Sequence, residues 1–302
     1  MLQFKFDVSP FGQESLRNSC RHYLLAIIVI SPVSFADQVA EGFEIHFLDV
    51  GQADSAIIIC DGEVLMIDGG NSADSSLVFS YLKNTLNVSH IDFMVNTHPH
   101  EDHVGGLSGA LNACSVGKVF SPVLEYDSEA FHDFLRYVSK QGKSLQVPKA
   151  GDSYPLGSAT LQFLTPLRTN YLKENDWSLV IRVSYGATSF LFMGDAELSV
   201  EADMIMASHD KLYKLKSDLI KAGHHGGETS TSFTLLQAVK PKYVVISVGE
   251  DNSYGHPSPY TLDRLKTAKV SIYRTDRDGH IICFSDGETI TFKTEKNDSG
   301  IR

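Results

Sequence analysis
The sequence predicts an α/β fold in which two mixed sheets pack face to face with helices on the outside. Strand-like and helix-like runs alternate in two successive sets, one before and one after Gly151, as expected for two layered halves. The 302 residues, 42% of them hydrophobic, can bury a full core, and no repeat, low-complexity tract or linker interrupts them. One continuous domain is expected from residue 37 to residue 294.

In the first set, Ile45–Val50, Ser55–Cys60 and Val64–Ile67 are short β-rich runs, and Asp61-Gly62 marks a tight turn between the last two. Ser75–Leu86 has helical spacing, with Leu77, Tyr81 and Leu82 on one side. Ile91–Asn96 reads as a buried strand, and Gly105-Gly106 turn the chain into a helix near Leu107–Ala113. In the second set, Thr160–Leu164, Leu179–Tyr185 and Ser189–Phe192 read as strands and Ser199–Ala207 as a helix. Strand Leu219–Ala222, helix Ser232–Val239, strand Tyr243–Val248 and helix Tyr260–Ala268 follow. Strands at Val270–Tyr273, His280–Phe284 and Thr289–Phe292 close the set, and residues 295–302 form a polar tail.

A formal charge of −11 argues against a broad, non-specific basic grip on nucleic acid. It does not exclude a nuclease, because metal ions supply local positive charge. The clearest basic cluster, Lys211, Lys214, Lys216 and Lys221, reads as a solvated face. Residues 1–36 read as an export signal: Arg17 and Arg21 precede an apolar core from Leu24 to Ile30, with cleavage near Ala36. That core is too short for a comfortable membrane span, and an uncleaved anchor is the alternative. The product would be periplasmic or secreted. Cys20 would leave with the signal. Cys60, Cys114 and Cys283 have no C-x-x-C spacing and give no disulfide framework; Cys60 and Cys283, in strand-like apolar runs, read as small buried thiols.

Chemistry concentrates at strand ends. His98, His100, Asp102 and His103 form an H-x-H-x-D-H run directly after the Ile91–Asn96 strand. Residues two apart in extended chain share a side, so His98 and His100 can grip one ion while Asp102 and His103 serve a second nearby. Imidazole and carboxylate together suit zinc, manganese or iron. Phe190–Met193 ends in Gly194-Asp195, where a carboxylate could bridge two cations; the alternative is a cap for the helix starting near Glu197.

Leu219–Ala222 ends in Gly223-His224-His225, and adjacent histidines point apart, so one is a ligand and the other faces substrate. Thr229 and Ser230 lie where a helix start could receive a phosphate, or where an ordinary cap would stand. Ser258 and Pro259 open a helix and leave His256 in the loop before it, as proton donor, substrate contact or plain surface histidine. Asp68 is placed to orient a ligand histidine.

Asp68, the His98–His103 run and Gly194-Asp195 resemble the metallo-β-lactamase superfamily over roughly Phe43 to Phe292. Phe47-Leu48-Asp49-Val50-Gly51-Gln52-Ala53-Asp54-Ser55, Gly194-Asp195-Ala196-Glu197, His224-His225-Gly226 and Tyr254-Gly255-His256-Pro257-Ser258-Pro259 resemble, more narrowly, the hydrolase domain of ComEC-type DNA-uptake proteins. The resemblance implies an αββα sandwich with a two-metal site at one sheet edge. His98 and His100 would hold one ion, Asp102, His103 and one of His224/His225 the other, with Asp195 bridging.

Many superfamily members place another histidine about twenty residues before the bridging Asp. Here that stretch reads Asn175-Asp176-Trp177-Ser178, a departure shared by ComEC-type domains; an oxygen from Asn175 or Asp176 would favour manganese over zinc, and the alternative is a weakly held first ion. The expected function is an exported phosphodiesterase or nuclease using two divalent ions, Zn or Mn. Asp102, His225 and His256 would be the catalytic side chains and nucleic acid or a small phosphodiester the substrate. No stable membrane association after cleavage and no obligatory protein partner are expected. The alternatives are a hydrolase of a small ester (phosphocholine ester, lactone or β-lactam) and a non-catalytic metal-binding module.

Overall fold
A computed structural model describes residues 42–296. The expected export signal and the last residues of the polar tail, 297–302, lie outside the described residues.

Strand β1 (Phe43–Phe47), β2 (Ser55–Cys60), β3 (Glu63–Gly69), β4 (His90–Val95), β5 (Ser115–Phe120) and β6 (Leu145–Gln146) follow one another across the first sheet. The β1–β3 meander is antiparallel, and β3 to β6 are parallel. The β2–β3 turn is Asp61-Gly62, with both residues at positive φ, +50° and +85°, as a two-residue hairpin demands. The second sheet repeats the plan. Strands β7 (Ser153–Leu156), β8 (Ala159–Phe163), β9 (Ile181–Tyr185) and β10 (Thr188–Phe192) form a meander. Then β11 (Leu219–Lys221), β12 (Tyr243–Ile246) and β13 (Ser271–Arg274) run parallel to β10. Finally β14 (Ile281–Ser285) and β15 (Ile290–Thr294) return to the first sheet beside β1.

Helices α1 (Ser75–Ser80), α2 (Glu101–Val104), α3 (Leu107–Ala113) and α4 (Glu129–Lys140) belong to the first half, and α5 (Leu198–His209), α6 (Phe233–Val239), α7 (Pro259–Thr267) and α8 (Thr275–Asp278) to the second. Three apolar layers result, and period-two alternation builds them. Phe190 and Phe192 point between the sheets to Ile45, Phe47, Leu65, Ile67 and Phe163. Leu191 and Met193 point outward, to Val200, Met204, Leu235 and Leu236 beneath α5 and α6. On the other sheet, Met66 and Met94 meet Leu107, Phe131 and Phe134 of the first-half helices. The αββα sandwich expected from the sequence is present.

The sequence reading passed over residues 115–156, where the structure has β5, α4, β6 and β7. Among the described residues, no helix is long and apolar enough to cross a membrane. Cys60 and Cys283 are buried free thiols, as expected, and so is Cys114. One expectation is overturned: Lys211, Lys214 and Lys216 are exposed, but Lys221 is 3% exposed, inside β11. A lysine in a central strand points into the protein, so it does not belong to that solvated face.

Candidate metal centre
The carboxyl ends of the parallel strands of both sheets converge on one edge, the position where open α/β sheets place their ligands. β3 delivers Asp68, β4 leads through Thr97 to the His98–His103 run, β10 delivers Asp195, and β11 delivers His224 and His225. Close backbone packing seats the run. A Cβ on Gly106 would lie 1.9 Å from the carbonyl oxygen of Gly69. At Gly194, φ is +53°, and a Cβ would lie 3.0 Å from both Ser178 Oγ and Thr97 Cβ.

Asp195 stands at the centre, with its two oxygens facing different imidazoles. Oδ1 lies 3.3 Å from His103 Nε2 and 3.9 Å from His225 Nε2, whereas Oδ2 lies 3.7 Å from His98 Nε2 and 3.9 Å from His224 Nε2. Asp102 Oδ2 is 3.1 Å from His225 Nε2 and 3.7 Å from His103 Nε2. Donor atoms of Asp102, His103, Asp195 and His225 all fall within 4.8 Å of one another. His98 Nε2 and His100 Nδ1 converge to 3.0 Å beside them.

The outer ring nitrogens are held by acceptors, which turns the inner ones toward the cluster. Asp68 Oδ2 is 2.8 Å from His103 Nδ1, Glu174 Oε2 is 2.9 Å from His100 Nε2, and the Ser247 carbonyl is 3.0 Å from His225 Nδ1. Asp68 is itself fixed: the Thr97 N–H donates to Oδ1 and the Thr97 hydroxyl to Oδ2. His103 Nε2 and Asp195 Oδ1 are buried and have no hydrogen-bond partner. Two orphaned buried atoms cost about 1–3 kcal/mol each, and a cation between their lone pairs would satisfy both. This donor set fits a divalent metal.

The electrostatics agree. Burial pushes the Asp195 carboxyl up, but His103, His225 and His98 together hold it well below the ordinary range. Burial pulls His225 down, yet Asp195, Asp54 and Asp102 lift it to about 10. Burial likewise opposes charge on His103, and Asp195, Asp102 and Asp68 raise it well above its usual value. His98 behaves differently, because burial and the His103 charge keep it neutral. A cluster that draws protons this strongly draws other cations, and loading a metal must release those protons.

A family model described as "Metallo-beta-lactamase superfamily" matches residues 48–250. The chain belongs to the metallo-beta-lactamase superfamily. It is 27% identical over 255 residues to ComE operon protein 3 of Bacillus subtilis (strain 168), covering 79% of this chain and 32% of that protein. It is also 27% identical to Competence protein ComA of Neisseria gonorrhoeae, covering 76% of this chain and 30% of that one. The third relative, Recombination protein 2 of Haemophilus influenzae, is 27% identical, with 79% and 28% covered. The chain thus spans about a third of the length of the curated relatives it matches, and its resemblance is to their ComEC-type class. Among solved structures, the metallo-beta-lactamase fold protein YhfI from Bacillus subtilis matches with TM-score 0.54 at 11% identity, over 81% of this chain and 100% of that one. CmlA, a diiron beta-hydroxylase from Streptomyces venezuelae, matches with TM-score 0.51 at 15% identity, over 78% and 53%. Both likenesses concern the fold.

Within this metallo-beta-lactamase frame, the remaining expected residues separate into centre and rim. His225 is buried against Asp102, while His224 is partly exposed, with Nδ1 3.3 Å from Glu197 Oε1. Their left-handed backbones, φ +48° and +49°, aim the two rings apart. His256 sits beside both, with ring centroids 5.2 Å from His224 and 6.4 Å from His225. Burial, then the charges on His224 and His225, hold His256 down at about 4, so near neutrality it offers one N–H and one lone pair.

Asn175 lies 3.4 Å from the His224 ring, and Asp176 accepts the Glu197 N–H instead of facing the cluster. Thr229 hydrogen-bonds Glu197. Ser230 is turned inward, donating to the Gly223 and Gly227 carbonyls. The N–H of Ser232 at the start of α6 already points at the Glu201 carboxylate. A carboxyl group is therefore built into that helix start. Asp195 does not cap α5, whose N-cap is Glu197. The sequence reading missed Glu174, Glu197, Thr97, Asp54 and Lys221. For Lys221 a signal existed, since a charge inside Leu219-Ile220-Lys221-Ala222 requires a buried partner.

Proposed function
We propose that this chain is an exported, metal-dependent phosphodiesterase, a nuclease acting on DNA. The carrying observation is Asp195, whose two oxygens face separate sets of imidazoles as a bridging ligand's would. In this reading His98, His100 and Asp195 hold one divalent ion. Asp102, His103, His225 and Asp195 hold the second, and the ions are Zn or Mn. Residues 37–294 are the hydrolase domain, released by cleavage near Ala36, and 295–302 its tail. The names of two of the relatives, Competence protein ComA and Recombination protein 2, support DNA as substrate.

Bound divalent ions supply Lewis acidity and a water activated at neutral pH. The chain supplies the rest. Asp68 and Glu174 fix His103 and His100 so that little reorganisation is needed when substrate arrives. Asp195 and Asp102 set the negative charge that counters the ions. His256, neutral near pH 7, donates a hydrogen bond from its N–H to the leaving oxygen, which takes its proton from solvent, and His224 on the rim contacts the phosphodiester. Asn175, hydrogen-bonded beside His224, helps position that ring.

The formal charge of −11 favours a second reading, hydrolysis of a small ester. Incubation of labelled single-stranded DNA with the purified protein and Mn or Zn, beside Asp195→Asn, separates them. Metal-dependent cleavage lost in the variant is expected. A folded, metal-loaded protein that leaves DNA intact but opens small esters would replace the first reading with the second.

A further inference from the structure
Beneath the centre lies an ion pair that the roles above do not use. Lys221 Nζ contacts Asp54 Oδ2 and donates to the Ala222 carbonyl at 3.0 Å. Lys221 is 3% and Asp54 6% exposed, so both charges are removed from water. Asp54 binds the centre in three ways. Its N–H donates to the Asp102 carbonyl at 3.0 Å, and its carbonyl accepts the Gly70 N–H at 2.8 Å. Its Oδ1 lies 3.2 Å from His225 Nδ1, and Oδ2 lies 3.9 Å from His103 Nδ1. His225 Nδ1 lies 3.0 Å from the Ser247 carbonyl, and Asp54 Oδ1 has no hydrogen-bond partner. That leaves an unpartnered, buried carboxylate oxygen aimed at the outer edge of an imidazole.

From this geometry we infer that Asp54 and Lys221 are a positioning pair for the second metal site. Asp54 holds the His225 imidazole by its negative charge 3.2 Å from Nδ1, and the peptide bearing Asp102 by its N–H, while Lys221 pins the carboxylate and keeps it from turning inward to become a ligand itself. The inference rests on the reading of His225 and Asp102 as ligands, and it concerns metal retention rather than any substrate. A buried charge pair is weak evidence for stability, since apolar replacements often do as well. A pair retained here, with one oxygen beneath a ligand ring, is better explained by geometry at the centre. The sequence carries the same hint: the acid directly precedes β2 and the lysine interrupts an apolar strand, 167 residues apart.

The test is titration of the purified full chain with Zn or Mn, followed by calorimetry, with thermal melting as a check on folding. Asp54→Asn is expected to weaken the second ion by about 10–100-fold, as loss of an outer partner does, and to leave the other ion unaffected. In a His225→Ala background the same substitution is expected to add nothing, because its effect passes through that ring. If Asp54→Asn fails to fold with its unmatched lysine, Asp54→Asn/Lys221→Met removes both charges and is predicted to show the same selective loss. Wild-type affinity in the folded variants, or losses that simply add to His225→Ala, would overturn the assignment. Neither readout needs turnover, so absence of nuclease activity would count against the proposed function and leave this inference standing.

Discussion

At the scale of single residues, the centre is held by acceptors behind the rings as much as by the rings. Asp68 sits at φ +56°, a left-handed conformation uncommon outside glycine, asparagine and aspartate. Its carboxylate takes both Thr97 donors and faces His103 Nδ1. Asp68→Asn, which tolerates the same left-handed backbone, is expected to lower affinity for one divalent ion by about 10–100-fold with the fold retained, measured by competition with a chromogenic chelator. Unchanged affinity would mean that His103 needs no such support. Gly106→Ala should act on folding instead, because the added carbon would lie 1.9 Å from a backbone oxygen that cannot swing away. A loss of about 3 kcal/mol or more is expected in urea unfolding, and a loss below about 1 kcal/mol would mean the helix entry relaxes freely.

The residue pattern explains what could be read in advance. Imidazoles and acids at strand ends announce themselves by type and spacing, so His98, His100, Asp102, His103 and Asp195 stood out and are brought together. Which of His224 and His225 turns inward depends on two successive left-handed residues, and no side-chain pattern encodes that. Glu174 and Asp54 were passed over because a carboxylate gains its role only from the ring that folding sets beside it.

At the scale of elements, short apolar strands with alternating destinations were legible, and α4 was not singled out although its signal is present. Ser128 caps it by accepting the Phe131 N–H, and Ala130, Phe131, Phe134 and Val138 recur at helical spacing on its buried side. The adjoining β5, with Gly117 and Lys118 in its middle, has weak strand character, which blurred the whole stretch. α4 covers the first sheet, with Phe131 and Phe134 fully buried among Met94, Leu107 and Leu111. Phe131→Ala is expected to cost about 3–5 kcal/mol in urea unfolding. Because α4 also packs against α2, which carries Asp102 and His103, and Phe131 touches Tyr126, which donates to Glu174, the deciding readout is the unfolding free energy rather than metal affinity. A cost below about 1 kcal/mol would mean the cavity collapses and the helix adds little.

At the scale of the whole molecule, the duplicated plan of meander followed by parallel strands places two sets of carboxyl strand ends at one edge, and the donors come from both sheets. No sequence repeat betrays this, because the halves share geometry and not residues. One consequence is linkage: ions that bind only the folded chain must stabilise it. At about one hundred times the dissociation constant the gain is about 2.7 kcal/mol, so Mn or Zn should raise the melting temperature of the wild type and a chelator should reverse the rise. Asp195→Asn, lacking a full charge at the shared position, should show much less of it. Equal stabilisation of both would place the ions elsewhere.

The overall charge bears on substrate. A chain at −11 repels a long polyanion except where local cations reverse the field, so a DNA substrate should touch few phosphates outside the centre. For single strands, the logarithm of affinity falls with the logarithm of salt by about 0.7 per phosphate neutralised. With about three such contacts, a fourfold rise in salt should reduce kcat/KM on an oligonucleotide by about tenfold to twentyfold. A nitrophenyl phosphodiester, which presents a single phosphate, should lose only about twofold to threefold over the same range. Initial rates at fixed metal concentration would separate the curves. Parallel curves would mean that the oligonucleotide is held at one phosphate only, which is how an enzyme adapted to small esters would treat DNA. A divergence between them would locate polymer contacts on a surface whose net charge opposes them, and so argue for selection toward nucleic acid.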